Sequence, residues 1–190
     1  MGMLIIGLVL FLGIHTVSIV APQWREGQIA RLGEGPWKGI YSVVSAIGFG
    51  LLIYGYGAAR QSPVVLYTLP TAMRHVALLL MLPVFPLLVA AYMPGRIKAI
   101  AKHPMLLATK LWAVAHLLAN GTLVDALLFG SVLVWAGLDR LSLKRRPPRP
   151  VKTAPPSRWN DLAAIVLGLA LYGLTLRYLH ALLIGVPLLR

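Results

Sequence analysis

The sequence contains no cysteine among its 190 residues. This absence excludes disulfides, iron–sulfur clusters, thiolate zinc sites and covalent c-type haem attachment. Acidic residues are almost as scarce, since only five Asp and Glu are present. Two-carboxylate acid–base catalysis and carboxylate-rich metal sites are therefore disfavoured. The sequence also has no Walker loop and no G-x-S-x-G or H-E-x-x-H motif, which excludes the enzyme classes that these motifs mark.

Charge is sparse as well, because charged residues make up 12% of the chain and hydrophobic residues 58%. Soluble domains usually carry about 45–50% apolar and about 25% charged residues. The apolar excess indicates that the bilayer is the solvent. The opening segment MGMLIIGLVLFLGIHTVSIVAP lacks the basic region and small-residue cleavage site of a secretory signal. It is therefore predicted to be a retained first span.

Six apolar segments can be distinguished along the chain. A helix needs about 20 mainly apolar residues to cross the hydrocarbon core of a membrane. The pair Asn120-Gly121 divides the longest apolar stretch, because it is a turn signal. The fold class predicted is an all-α, polytopic integral membrane bundle of about six transmembrane helices, with residues 1–190 forming a single membrane domain. The predicted spans are residues 4–21, 39–59, 72–93, 104–119, 123–138 and 161–179.

Basic residues are distributed unevenly between these spans. Of the 18 Lys and Arg, 14 fall in or beside loops one, three and five, and four fall elsewhere. The positive-inside rule places those three loops in the cytoplasm, so both termini are predicted to be periplasmic in a bacterial inner membrane. Because the net charge of +13 comes from residues that flank spans, no nucleic acid partner is predicted. The lipid bilayer is the predicted partner.

Loop five, residues 140–160, is a basic, proline-rich segment predicted to be cytoplasmic. Prolines and like charges keep such a segment extended and solvated. Two interpretations stay open, a linker on an anionic membrane surface and a segment that docks a partner. Small residues four apart within the second and sixth spans predict close helix packing at Ala46 and Gly50 and at Ala164 and Gly168.

His116 is the most informative ionisable residue, because charged and titratable groups inside a membrane are costly. Thr109, His116 and Asn120 share one face of the fourth span, with Trp112 between them. A polar stripe on an otherwise apolar helix is expected to face the bundle interior. This face is therefore a candidate site for chemistry.

His15 is the second candidate, as the only polar ring of the first span. Its pattern fits either a hydrogen-bonded core histidine or a metal ligand. Two membrane histidines on different helices also match the way haem b is held. The remaining histidines, His75, His103 and His180, are predicted to be interfacial, and Lys110 can extend its amine to the cytoplasmic surface.

Several segments resemble the NnrU family of bacterial membrane proteins, which is named for a role in nitrite and nitric oxide metabolism in denitrifiers. The resemblance lies in GRIK and KHPMLLATKLWAVAHLLANG, in LVWAGLDRLSLKRR, in ARLGEGPWKGIYSVVS and RHVALLLMLPVF, and in the tail LIGVPLL. The same domain is similar to the plant and cyanobacterial 15-cis-zeta-carotene isomerase. That enzyme is a membrane haem b protein that isomerises a double bond without net redox change.

The resemblance implies haem b as the cofactor, with His15 and His116 as its metal ligands. Residues around the second ligand then become cofactor-binding candidates, namely Trp112, Asn120, Thr109, His103 and Lys110. Lys110 or Lys102 would meet the haem propionates. If the protein is an enzyme, a haem-dependent cis–trans isomerase-like activity is implied, with a small hydrophobic substrate or nitric oxide as ligand.

Two other classes of function stay open. One is a non-catalytic accessory protein of a respiratory system, which would have respiratory membrane proteins as partners. The other is an S-adenosylmethionine-dependent membrane methyltransferase-like protein or a transporter. Lys102-His103-Pro104 is similar to a basic-His-Pro motif of isoprenylcysteine carboxyl methyltransferases. The paired glutamates of those enzymes have no counterpart here, since only Asp161 follows loop five.

Overall fold

The computed structural model describes residues 1–146 and 151–188. Residues 147–150 of loop five, and with them Arg149, lie outside the described residues, as does Arg190. The described chain is helical, apart from loops and one isolated antiparallel bridge between Val65 and Thr122. Its α-helices are α1 Gly2–Val20, α2 Pro22–Leu32, α3 Glu34–Ala59, α4 Ala72–Met81, α5 Val84–Ala90, α6 Arg96–Ala101, α7 Pro104–Ala119, α8 Leu123–Ser142, α9 Asn160–Leu174 and α10 His180–Ile184, with a π-helical turn Thr175–Leu179 between the last two.

The all-helical prediction is confirmed, and membrane character is supported by four helical segments long and apolar enough to span a bilayer. These segments are Gly2–Val20, Glu34–Ala59, Ala72–Ala90 and Asn160–Ile184. Helix α7 is apolar but has only 16 residues. Helix α8 has 20 residues and carries Asp125 and Asp139 within its length. The count of six spans therefore stays a prediction.

Loop one contains a helix that the sequence analysis did not predict. Helix α2 begins with Pro22 in its first turn, where the missing N–H of proline is not needed. It ends at Gly33, whose φ of +86° is readily adopted only by glycine. Trp24 of α2 makes an edge-on contact with Trp37 of α3, with ring centroids 5.8 Å apart. The predicted loop is therefore mostly a short polar helix.

The described chain divides into two compact units, Met1–Tyr67 with Gly121–Arg145 (unit 1) and Thr68–Asn120 with Arg146–Arg190 (unit 2). Unit 1 is built on the pairing of α1 with α3, which approach closely through glycines. A Cβ on Gly48 would lie 2.7 Å from the Phe11 amide nitrogen, and one on Gly7 would lie 2.6 Å from that of Leu52. Leu4, Leu8, Leu52 and Val124 form its buried core.

The prediction of which small residues pack against a neighbour was wrong for the second span. Ala46 is exposed, and a Cβ on Gly50 would meet nothing within 4 Å. The contact face of α3 instead carries Gly48 and Gly55, which are seven residues apart and therefore share a helix face. In the sixth span the prediction holds, because Ala164 is fully buried and Gly168 lies against Pro86.

Unit 2 packs α5 against α9 and α7, around a core of Val84, Leu87 and Ala108. The span Ala72–Ala90 is interrupted at Leu82 and Pro83, so it forms two helices, α4 and α5. The hydroxyl of Tyr172 donates to the carbonyl of Leu78 at 2.8 Å. This bond satisfies a polar group of α9 inside an apolar unit.

Two residues at the start of α9, Asn160 and Asp161, form hydrogen bonds with the segments around α6. The carboxylate of Asp161 accepts hydrogen bonds from the amides of Arg96 and Ile97, at 2.8 and 3.0 Å. The buried side chain of Asn160 donates to the carbonyls of Pro94 and Pro155. These bonds satisfy helix-terminal and loop groups that would otherwise be unpaired.

Candidate functional site

His15 lies on α1 in unit 1 and is half-buried. Aromatic rings from three helices surround it. The ring centroids of Phe11 on α1, Tyr41 on α3 and Trp135 on α8 lie 4.4, 5.1 and 5.7 Å from that of His15. We call these four residues the His15 cluster.

The imidazole of His15 is oriented by its own helix. Its Nδ1 lies 2.6 Å from the carbonyl oxygen of Phe11, one turn earlier. A carbonyl oxygen can only accept, so Nδ1 carries the proton. In the neutral ring the lone pair is then on Nε2, which is the form that binds a metal ion.

His116 lies late in α7, in unit 2, and is half-buried as well. Its Nδ1 is 2.8 Å from the carbonyl oxygen of Trp112, again one turn earlier. The Trp112 ring contacts the imidazole with centroids 4.9 Å apart. The same argument assigns the lone pair of the neutral His116 ring to Nε2. In both candidate ligands Nδ1 therefore donates to the backbone carbonyl four residues earlier.

The other residues predicted around His116 have the following contacts. Thr109 donates its hydroxyl proton to the Met105 carbonyl at 2.9 Å, and Asn120 donates through Nδ2 to the His116 carbonyl at 2.9 Å. Both side chains are partly exposed, and so is Lys110. The acceptor for Nδ1 of His116 is thus the backbone carbonyl of Trp112.

His103 occupies the N-cap position of α7, and its side chain makes no cap hydrogen bond to that helix. The preceding residue, Lys102, has a φ of +58°, and the His103 amide donates to the Ala101 carbonyl at 2.6 Å. This is a γ-turn, a conformation that costs energy for a residue with a side chain. The γ-turn joins α6 to α7 and includes the first two residues of the sequence Lys102-His103-Pro104.

Unit 1 also contains a buried carboxylate, that of Asp125, which was not a predicted site residue. Asp125 is 3% exposed and accepts hydrogen bonds from the Tyr56 hydroxyl at 2.6 Å and from the Thr122 hydroxyl at 2.5 Å. The Thr122 amide donates to it at 3.1 Å, which completes a capping box at the start of α8. The guanidinium of Arg60 lies 5.4 Å from the Tyr56 ring centre. We call Tyr56, Thr122 and Asp125 the Asp125 network.

The number and grouping of possible metal ligands limit the kind of metal site that these residues can form. Within residues 1–146 and 151–188, no three His, Asp or Glu side chains are grouped to hold a metal ion. Single histidines with a lone pair on Nε2 suit a cofactor that brings four of its own ligands, as a porphyrin does. In unit 2 an open apolar groove of about 420 Å³ is lined by Leu88, Val89, Tyr92, Met93 and Ala154, none of which was a predicted site residue.

Comparison with known families gives one result. The chain matches the NnrU protein family over residues 3–188, which is nearly its whole length. No curated protein and no solved structure matches it. The chain therefore belongs to the NnrU family.

Proposed function

We propose that this NnrU-family protein binds haem b within the membrane, with His15 and His116 as its axial ligands. The observation that supports the proposal is the arrangement shared by both imidazoles, in which Nδ1 donates to the carbonyl four residues earlier. That hydrogen bond sets the tautomer and the ring orientation before any cofactor arrives. It leaves Nε2 as the ligating atom in each case.

The surroundings of both histidines fit a porphyrin. Phe11, Tyr41 and Trp135 around His15, and Trp112 beside His116, offer flat apolar surfaces to a macrocycle. Lys110, six residues before His116 on the same helix, is the candidate cation for a propionate. Attachment must be non-covalent, because the chain has no cysteine. When bound, haem would supply a redox-active centre whose axial ligands can exchange with a small molecule.

The physiological role proposed follows the family resemblance. A haem protein of this kind would act in nitrite or nitric oxide metabolism, with nitric oxide as the small ligand. Isomerase-like chemistry on an apolar substrate is the second candidate, because the same domain is similar to a haem-dependent carotenoid isomerase. The methyltransferase alternative loses support, because the carboxylate of Asp161 is engaged by the Arg96 and Ile97 amides.

The proposal is tested by spectroscopy of protein expressed with haem supply. We expect a low-spin Soret band in the parent, and its loss or shift in His15→Ala and in His116→Ala. His75→Ala is the matched control, because His75 is exposed and belongs to neither histidine environment. A colourless parent, or a parent-like spectrum in the double variant His15→Ala/His116→Ala, would reject haem ligation by these residues.

We further propose that the chain lies in the bacterial inner membrane with loops one, three and five in the cytoplasm. The uneven distribution of Lys and Arg supports this orientation. A reporter inserted at Val151 should behave as cytoplasmic, and one inserted at Val64, between α3 and α4, as periplasmic. The same behaviour at both positions would refute the orientation.

A further inference from the structure

The His15 cluster contains a hydrogen-bond donor that the protein itself does not satisfy. The indole nitrogen of Trp135 is buried and makes no hydrogen bond to any of the described residues. A buried N–H without an acceptor destabilises the fold, because the water it has lost is not replaced. Such groups are rare in folded proteins and call for an explanation.

The surroundings of the Trp135 N–H indicate from where a ligand could reach it. Trp135 meets the imidazole of His15 edge-on, with an interplanar angle of 90° and centroids 5.7 Å apart. Tyr41 brings a second aromatic ring to the same imidazole, at 5.1 Å between centroids. All three side chains belong to helices of unit 1, and two of those helices are long and apolar enough to span a membrane. A ligand reaching them would come from the lipid phase.

The charges near the cluster limit the class of ligand. Asp139, one turn after Trp135 on α8, interacts electrostatically with both His15 and Tyr41. Arg25 also interacts with Tyr41, but its guanidinium is paired with Glu26 at 2.7 Å. An anionic ligand would therefore meet the like charge of Asp139, whereas an uncharged one would not. The Nε2 of His15 adds a further lone pair, which accepts and does not donate.

We propose that Trp135 and Tyr41 form a binding site beside His15 for an uncharged, lipid-soluble carbonyl compound, of which quinones are the type. The Trp135 N–H donates to the carbonyl oxygen, and the rings of Phe11 and Tyr41 pack against the apolar body. The site lies within unit 1 and requires neither haem nor His116. Because the proposed haem would pack against the same rings, the two ligands would compete, and haem-free protein tests this site on its own.

The test follows the Trp135 indole proton directly. Haem-free, full-length protein with ¹⁵N-labelled tryptophan gives one indole N–H signal for each of five tryptophans, and Trp135→Phe identifies the signal of Trp135. Duroquinone should shift that signal to the frequency of a hydrogen-bonded indole. Durene, which has the same methylated ring without the carbonyls, should leave it unchanged. The signal of Trp159, an exposed side chain outside the His15 cluster, is the internal control and should not move with either compound.

Affinity provides the second measurement. Trp135→Phe keeps an aromatic ring but removes the donor, and should weaken duroquinone binding by about fivefold to tenfold, as expected for one hydrogen bond. Trp159→Phe, at an exposed tryptophan outside the cluster, should leave the affinity unchanged. Binding can be followed through the His15 ring nitrogens, which remain in both variants. Equal shifts with durene and duroquinone would overturn the proposal, and so would equal affinities of the parent and Trp135→Phe. A Trp135 signal that responds to an anionic carboxylate, such as benzoate, and not to duroquinone would also overturn it.

Discussion

His15 and His116 have the same hydrogen bond but different surroundings. Each imidazole donates through Nδ1 to the carbonyl four residues earlier, at 2.6 and 2.8 Å. The aromatic contact of His116 comes from Trp112, one turn away on the same helix. His15 is contacted by Phe11 on its own helix, but also by Tyr41 and Trp135, which are 26 and 120 residues away in sequence.

The aromatic contact of His116 is therefore local in sequence, whereas those of His15 depend on tertiary packing. The environment of His116 follows from helix periodicity, so it could be predicted from residues 109–120. That of His15 depends on how α1, α3 and α8 pack in unit 1. A change in helix packing should therefore disturb His15 and leave His116 as it is.

The largest effect is expected where α3 meets α1. A Cβ on Gly48 would lie 2.7 Å from the amide nitrogen and 3.0 Å from the Cα of Phe11, both backbone atoms that cannot turn away. Gly48→Leu should therefore lower the free energy of unfolding by about 3 kcal/mol, at the upper end of the range for overpacking. Equilibrium unfolding in mixed micelles, followed by circular dichroism, measures this change.

The control for Gly48→Leu is Gly50→Leu, on the same helix, where an added Cβ meets nothing within 4 Å. This variant should unfold like the parent. Because Phe11 supplies both the carbonyl and the nearest ring to His15, Gly48→Leu should also change the His15 ring signals in nuclear magnetic resonance spectra. The His116 signals should stay in place. Equal loss of both sets of signals would show that the two environments are not independent.

How far the sequence predicts this fold can be judged at particular residues. Pro104 and the Asn120-Gly121 pair marked both ends of α7, because proline suits a first helical turn and the pair is a turn signal. Helix α2 was missed because it is short and polar, so apolar run length gives no signal for it. Gly48 and Gly50 are equally small, and only the direction in which α1 lies distinguishes them.

The second prediction compares two carboxylates that cap helices, one in each unit. Asp125 is 3% exposed and accepts three hydrogen bonds, two from Thr122 and one from Tyr56. Asp161 is partly exposed and accepts two, from the amides of Arg96 and Ile97. Asp125→Asn should cost about 2 kcal/mol and Asp161→Asn about 1 kcal/mol, because the buried group has more donors to leave unpaired.

Unfolding in the same micelle system measures both substitutions. Tyr56→Phe is an informative companion, because it removes one donor to Asp125 and keeps the ring that meets Phe129 at 6.0 Å. Its cost should be about 1 kcal/mol, that of one hydrogen bond. A larger loss for Asp161→Asn than for Asp125→Asn would mean that burial does not set the strength of these caps.

The candidate site was predictable only in part, for related reasons. His15 and His116 stand out because ionisable residues are rare in apolar spans. Trp135 carries no such signal, since one aromatic residue on an apolar helix is ordinary. The i−4 carbonyl as partner of Nδ1 was also missed, because the sequence shows side chains and the acceptor here is backbone.

The smallest expected effects concern the two imidazoles themselves. In haem-free protein the neutral rings of His15 and His116 should carry the proton on Nδ1, because a carbonyl oxygen accepts that proton in each case. The ¹⁵N signals of their ring nitrogens distinguish this tautomer from the one protonated at Nε2. Exposed His75 is the control and should show averaged signals from both tautomers.

Aromatic substitutions then show whether the two environments differ as the structure indicates. Trp135→Phe and Tyr41→Phe should shift the His15 ring signals and leave those of His116 unchanged, while Trp112→Phe should do the reverse. The corresponding energies are about 0.5–1 kcal/mol, so the folded state should be retained in all three variants. If either histidine instead carried its proton on Nε2, its backbone hydrogen bond would be absent in solution. The ring would then not be prepared to bind a metal ion, and the argument for that residue as a haem ligand would fail.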